Sequence, residues 1–68
     1  MIRPFALMRE VDETGISGTG MVAEGVQFSD GTCVLRWTSE HRSTAVYADI
    51  ETLVAVHGHN GSTRVEFA

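Results

Sequence analysis

The fold of this chain is decided by residues 21–38, MVAEGVQFSDGTCVLRWT. Apolar and polar side chains alternate in both halves of this stretch, a pattern that predicts β-strands. Asp30-Gly31 lies between the halves, and this pair is typical of a hairpin turn because glycine adopts a left-handed backbone at little cost. We therefore predict an antiparallel hairpin at the centre of the fold, with strands over about 21–28 and 32–38. In the first of these strands, Val22, Val26 and Phe28 are predicted to share a face with Glu24, and Gly25 is a candidate β-bulge that would redirect the Glu24 carboxylate.

Further strands are predicted on both sides of this hairpin. Residues 5–11 alternate in the same way and precede a glycine-rich loop at 12–20. Another strand is expected around 44–48, and a last one at 63–67 follows a turn at Asn60-Gly61. The sequence therefore predicts five short strands.

A short helix is predicted before the last strand. Apolar residues recur there at i, i+3 and i+4 and end in a histidine at i+7, the spacing of one helix face, with members Ile50, Leu53, Val54 and His57. Asp49 is suited to accept hydrogen bonds from the first turn, and Gly58 is suited to follow the last one. The predicted helix spans residues 50–57.

This order of elements predicts a mainly β single domain over residues 1–68. Two architectures fit the order: a small SH3-like five-stranded barrel, or a strongly bent antiparallel sheet covered by the helix. We favour the barrel at this point because closure removes the unpaired strand edges that a small sheet would otherwise expose.

Charge and composition exclude several classes of protein. Five arginines stand against nine acidic residues and give a net charge of −4, with no lysine in the chain. Nucleic-acid binders gain affinity by neutralising phosphates, so neither nucleic acid nor an anionic membrane is an expected partner. No apolar run approaches the ~20 residues of a membrane span, and the first residues do not resemble a secretory signal. A cytoplasmic location is expected.

Catalysis and cofactors are not predicted. The glycine-rich loop leads into a strand, whereas a phosphate-binding loop leads into a helix N-terminus. Cys33 alternates with apolar neighbours and is expected to be a core residue. His57, His59 and His41 are the candidate metal ligands, since neutral imidazole binds metals. The simpler interpretation of the first two is a helix-terminal histidine and a solvated turn residue.

Two stretches carry a family resemblance over residues 5–67. The first joins Val22-Ala23-Glu24-Gly25-Val26 to Asp30-Gly31-Thr32 and Leu35-Arg36-Trp37. The second joins Ser43-Thr44 to Ile50-Glu51 and His57-Gly58-His59-Asn60-Gly61-Ser62-Thr63. Together they resemble a family of short proteins of actinobacteria, halophilic archaea and tailed phages. The resemblance implies a phage or mobile-element origin and transfers no catalytic residue.

The favoured hypothesis is a non-enzymatic protein-interaction module. Alternation in the third strand predicts that Cys33, Leu35 and Trp37 point inward and that the next set points outward: Val34, Arg36 and Thr38. Charged residues of the neighbouring loops would surround that outer set, namely Asp12, Glu13, Glu40 and Arg42. An apolar or arginine centre with a polar rim is the usual anatomy of a protein interface. The expected partner is another protein or a second copy of the chain. The alternative is a small-ligand or metal-binding domain at His57 and His59.

Overall fold

The computed structural model describes residues 1–10, 20–58 and 62–68. In chain order its elements are β1 (Arg3–Arg9), β2 (Gly20–Gln27), β3 (Cys33–Trp37), β4 (Thr44–Tyr47), α1 (Ile50–His57) and β5 (Thr63–Phe67). The predicted type and order of these elements are confirmed. The end of the predicted first strand at Val11, most of the glycine-rich loop and the turn at Asn60-Gly61 lie outside the described residues.

The sheet is open, so the barrel that we favoured is wrong and the bent sheet is the architecture that fits. Its five antiparallel strands have the order β4-β3-β2-β1-β5, and β4 and β5 are its edges. The edges of a flat sheet of this kind lie ~19 Å apart, whereas a helix of 8 residues is only ~12 Å long. Because α1 contacts both edge strands, the sheet must bend towards it.

The core lies between the inner face of the sheet and α1. Its buried members are Phe5, Leu7, Val22, Ala23, Cys33, Leu35 and Leu53. Arg9 is only 3% exposed, although it is charged. Its Nε donates to Thr63 Oγ1 at 3.0 Å, and its guanidinium lies 5.9 Å from the centroid of the Trp37 ring. The Arg9 side chain therefore contributes to the packing of the inner face as well as to its hydrogen bonding.

A β-bulge at Val22 reverses the predicted phase of β2. Leu7 pairs with Ala23, but Met8 pairs with Met21, so Val22 is the extra residue. Val22 and Ala23 are consecutive and both buried. A bulge of this kind changes which side chains share a face. The bulge that we predicted at Gly25 therefore lies at Val22 instead. Beyond it the partners of β2 follow a new alternation, and Val26, which we expected on the same face as Val22, lies on the opposite face.

The turn and the helix start follow the local predictions. Gly31 has a φ of 95°, and Asp30 Oδ1 accepts from the Thr32 backbone N–H at 2.9 Å. Asp49 Oδ1 accepts from the Thr52 backbone N–H at 2.7 Å, as expected of an N-cap. Hydrogen bonds from the Thr52 side chain, and next from its backbone N–H, lower the pKa of the Asp49 carboxyl.

Two details of the helix were predicted wrongly. Val54 is exposed rather than part of the buried stripe, since α1 meets the sheet along the narrower line of Ile50, Leu53 and His57. Gly58 continues the right-handed backbone, with a φ of −68°, and its N–H donates to the Val54 carbonyl. The helix end therefore needs no left-handed residue.

Candidate functional site

The face of the sheet opposite α1 is the candidate site, and we call it the outer face. It consists of the strand residues that alternate with the buried ones: Pro4, Ala6, Met8, Met21, Glu24, Val26, Val34, Arg36, Thr44 and Val46. None of these side chains is fully buried. Among the described residues no helix covers this face, so a mostly apolar surface is open to solvent.

Strand register arranges the outer face in two adjacent rows. Four strands contribute one residue each to an apolar row, namely Pro4, Val26, Val34 and Val46. The neighbouring row runs parallel to it and holds Ala6, Glu24, Arg36 and Thr44. We call these the valine row and the charged row. Each crosses the strands at right angles, so apolar and charged groups are sorted into separate lines.

One acidic and one basic residue lie side by side at the centre of the charged row. Glu24 on β2 pairs in register with Arg36 on β3, and both side chains are exposed. Arg36 Nη1 donates to Thr44 Oγ1 at 2.9 Å, which holds the guanidinium towards β4. Within the described chain, the Glu24 side chain makes no hydrogen bond or ion pair. The Glu24 carboxylate is therefore available to a cation from outside.

An open depression of about 370 Å³ lies on this face. It is lined by Pro4, Phe5, Glu24, Gly25, Val26, Val34 and Arg36. Gly25 is in register with the buried Phe5 and Leu35, and a Cβ at this position would meet the Phe5 ring at 2.6 Å and the Val34 carbonyl. At the β4 end of the valine row, Val46 is 67% exposed. Exposed apolar groups next to a depression are typical of protein contact surfaces.

The β5 side of the sheet has a different character. Arg64 forms ion pairs with Glu10 and, at 3.4 Å, with Glu66. These side chains are about half exposed, so the pairs add little to stability. Charges along an edge strand discourage pairing with a further strand. The apolar part of the outer face is therefore confined to β1–β4.

The residues predicted from β3 are partly brought together by the structure. Val34 and Arg36 are neighbours on the outer face, as predicted. Thr38 follows the strand and is half-buried, with its Oγ1 donating to the Met21 carbonyl at 3.4 Å. Arg42 is exposed in the segment between β3 and β4. Asp12 and Glu13 lie outside the described residues, so their predicted place in the rim stays a prediction.

Sequence reasoning missed most of the outer face. Val26 was predicted to share a face with Val22, and Pro4 and Val46 were not considered as surface residues. The alternation of apolar and polar residues in β2 could have indicated which side chains face outward. The bulge at Val22 exchanges the two faces beyond it, so the alternation gave the wrong face for Val26. Cross-strand neighbours were not available from the sequence, since they depend on the register between strands. Glu24 was noticed, but its position beside Arg36 was not.

The candidate metal ligands are placed only in part. His57 is half-buried at the end of α1, and its Nε2 shares a hydrogen bond with the Tyr47 hydroxyl. Its ring also lies edge-on to Trp37, with centroids 5.1 Å apart. His41 is exposed between β3 and β4, and His59 lies outside the described residues. Within the part of the chain that the structure describes, no three His, Cys, Asp or Glu side chains gather in a group suited to a metal.

Cys33 is a core residue, as predicted. Its side chain is 0% exposed, and its Sγ donates to the Gly31 carbonyl at 3.3 Å. Burial, with a smaller contribution from Asp49, raises the pKa of the thiol above its usual value. The thiolate form that nucleophilic chemistry needs is therefore disfavoured.

Comparison with known proteins gives one family match. A family model described as "Acb5 phage protein" matches residues 2–68. No curated protein and no solved structure matches the chain. None of the described helices is long and apolar enough to cross a membrane.

Proposed function

The chain belongs to the Acb5 phage protein family, and we propose that it serves the phage as a non-enzymatic accessory protein that acts by binding another protein molecule. The observation that carries this proposal is the outer face, which no element of the described part of the chain covers. A chain of 68 residues has little apolar material to spare for its core. Four strands nevertheless direct the valine row away from that core, which a purely structural sheet does not require.

The chemistry of the outer face defines the partner that it fits. Protein interfaces combine a desolvated apolar centre with charged or polar groups that fix the orientation. Here the valine row supplies the apolar part, and the exposed Glu24 and Arg36 supply one charge of each sign. We therefore infer that the partner presents a surface that is also apolar at its centre. This surface carries one basic group to pair with Glu24 and one acidic group to pair with Arg36.

Two side chains that could serve catalysis, Cys33 and His57, are engaged in contacts within the fold. Cys33 is buried with its thiol pKa raised. His57 Nε2 is engaged by Tyr47. Both observations support binding over catalysis, and both weaken the alternative of a small-ligand or metal site at His57 and His59. We propose that the protein works in the cytoplasm of the host cell without a cofactor. Its relatives are proposed to extend to actinobacteria and halophilic archaea.

Site-directed photo-crosslinking tests the proposed contact surface. A photoreactive benzoylphenylalanine replaces Val46 on the outer face, and in a matched control it replaces Val56 on α1. These two valines are comparably exposed, at 67% and 57%. After expression in a bacterial host and irradiation, we expect a discrete adduct from position 46 and none from position 56. The adduct should be lost when Arg36→Glu is added.

Equal labelling from both positions would contradict the proposal, because it would indicate collisions rather than a defined contact. No adduct from position 46 would contradict it as well. The melting temperature of each variant should stay close to that of the wild type, since both valines are exposed.

A further inference from the structure

We infer that the outer face binds a second copy of this chain, in a two-fold dimer in which Glu24 of each protomer meets Arg36 of the other. This inference rests on the proposed protein-binding function and names its partner. The evidence is the order of residues within the two rows. When the order of the four strands is reversed, the residues of each row are complementary to the residues of the original order.

The charged row shows this complementarity first. Consider a two-fold axis that runs parallel to the strands, midway between β2 and β3, and lies between two sheets packed face to face. In the partner protomer that this rotation generates, the order of the strands is reversed, and each residue keeps its level along the strand direction. Glu24 then lies opposite Arg36 of the partner, and Arg36 lies opposite Glu24 of the partner. Two ion pairs form across the interface from one pair of residues.

The other positions are compatible with the same axis. In the valine row, Val26 of one copy faces Val34 of the other, and Pro4 faces Val46. In the charged row, Ala6 faces Thr44. Each of these contacts joins apolar or small side chains. Aligned packing of two sheets ~10 Å apart is a standard arrangement of β-proteins.

Other two-fold axes are much less favourable. An axis perpendicular to the strands and level with the charged row would place Glu24 against its own copy and Arg36 against its own copy. Moving that axis to lie between the two rows would bury each charge against a valine. Like charges in contact and unpaired buried charges both oppose association. Only the axis parallel to the strands satisfies both rows.

The size of the face limits how strong the dimer can be. The two rows cross four strands, β4, β3, β2 and β1, which span ~14 Å at a spacing of ~4.8 Å, and six residues of strand extend ~20 Å. The resulting area is on the order of 300 Å² before side-chain relief is counted. Standard interfaces take ~800 Å² of accessible surface from each partner. Because the sheet also bends towards α1, the contact is centred on β2 and β3, and we expect a weak dimer.

Exchanging the charges at positions 24 and 36 tests the proposed dimer. If these residues had only a structural role, the exchange would not break and then restore dimerisation. The mass of the protein in solution is measured by light scattering and by analytical ultracentrifugation over a range of concentrations. We expect a dimer for the wild type. In Arg36→Glu, Glu24 of each protomer faces a glutamate at position 36 of the other, so two repulsive contacts replace the two ion pairs. In Glu24→Arg, two arginines face each other at each of these contacts. Each single variant should raise the dissociation constant at least tenfold.

The double variant Glu24→Arg/Arg36→Glu restores both pairs with their signs exchanged, and it should dimerise again. Glu51→Arg on the exposed side of α1 makes the same charge change as Glu24→Arg and should leave dimerisation unchanged. Circular dichroism confirms that each variant is folded.

Three results would overturn the inference. A wild-type protein that stays monomeric at millimolar concentration would show that the partner is a different protein, while the crosslink from position 46 would still support the proposed function. A dimer unaffected by either single variant would place the interface elsewhere. Dissociation without rescue in the double variant would exclude the reciprocal pairing of Glu24 and Arg36.

Discussion

The side chains of Tyr47 and His57 share a hydrogen bond that joins the edge strand β4 to the last turn of α1. Their rings meet edge-on, with centroids 5.6 Å apart. Both residues are half-buried. Because β4 has only four residues and, among the described strands, pairs only with β3, this contact is a main attachment of the helix to that edge of the sheet.

Removing the Tyr47 hydroxyl should therefore destabilise the fold. For Tyr47→Phe we expect a loss of about 1 kcal/mol in the free energy of unfolding, the usual net value of one hydrogen bond. Urea denaturation measures this change. A double-mutant cycle with His57→Gln should show that the two effects are not additive, since both substitutions affect the same contact. Additive effects would mean that the hydrogen bond does not stabilise the protein.

The Asp49 cap should make stability depend on acidity. Its pKa is lowered from an ordinary value of 3.8, chiefly by hydrogen bonds from Thr52. A carboxyl whose pKa is lower in the folded state adds stability that is complete above the unfolded pKa. That stability is lost as the pH falls through the lowered folded pKa.

We therefore expect Asp49→Ala to lower the melting temperature more at pH 7 than at pH 2. Asp49→Asn is the matched control, because its side-chain oxygen still accepts the hydrogen bond from Thr52 without carrying a charge. It should lie between the wild type and Asp49→Ala at pH 7. An equal loss in Asp49→Ala at both values of pH would refute the assignment of this dependence to the Asp49 charge.

Cys33 should be unreactive in the folded protein. Complete burial and the raised thiol pKa both limit the thiolate that thiol reagents attack. Modification by a chromogenic disulfide should be slow in buffer and rapid in denaturant, with one thiol titrated per chain. Rapid labelling under native conditions would show that this part of the core opens readily.

Gly25→Ala should be strongly destabilising. The added methyl group would meet the Phe5 ring at 2.6 Å and, closer still, the Val34 carbonyl oxygen. Overpacking of this kind costs about 1–3 kcal/mol. Adding Phe5→Leu should not restore the stability, because the clash with the Val34 backbone remains. A thermal midpoint within a degree of the wild type would show that β2 and β3 can separate locally.

Nucleic-acid binding should be negligible at physiological salt. The net charge is −4 and the chain contains no lysine. Fluorescence anisotropy with labelled single- and double-stranded oligonucleotides at about 150 mM salt is a direct measurement. Micromolar affinity that falls steeply as salt is added would contradict this expectation.

Local sequence was sufficient for those features that depend on a few neighbouring residues. The hairpin turn at Asp30-Gly31 and the cap at Asp49 follow from the conformational freedom of glycine and from the reach of a carboxylate to the next turn. The inward and outward sides of β3 follow from the two-residue period of a strand. The type and order of all the elements were accessible in this way.

Two features of the fold depend instead on contacts between distant parts of the chain. The bulge at Val22 arises because β2 must pair with β1 on one side and with β3 on the other, and one extra residue shifts everything beyond it. Whether the sheet closes is decided at its edges, where β4 and β5 both contact α1 instead of pairing with each other. Neither feature has a signal in local alternation.

The candidate site is therefore determined at both levels. Sequence alone placed Arg36 and Val34 on the side of β3 away from the core, because alternation along one strand needs no knowledge of its neighbours. Only the tertiary structure brought Glu24 beside Arg36 and lined up the valine row, since strand register joins residues that are far apart in the chain. The complementarity of the outer face to its own reverse is a property of that register.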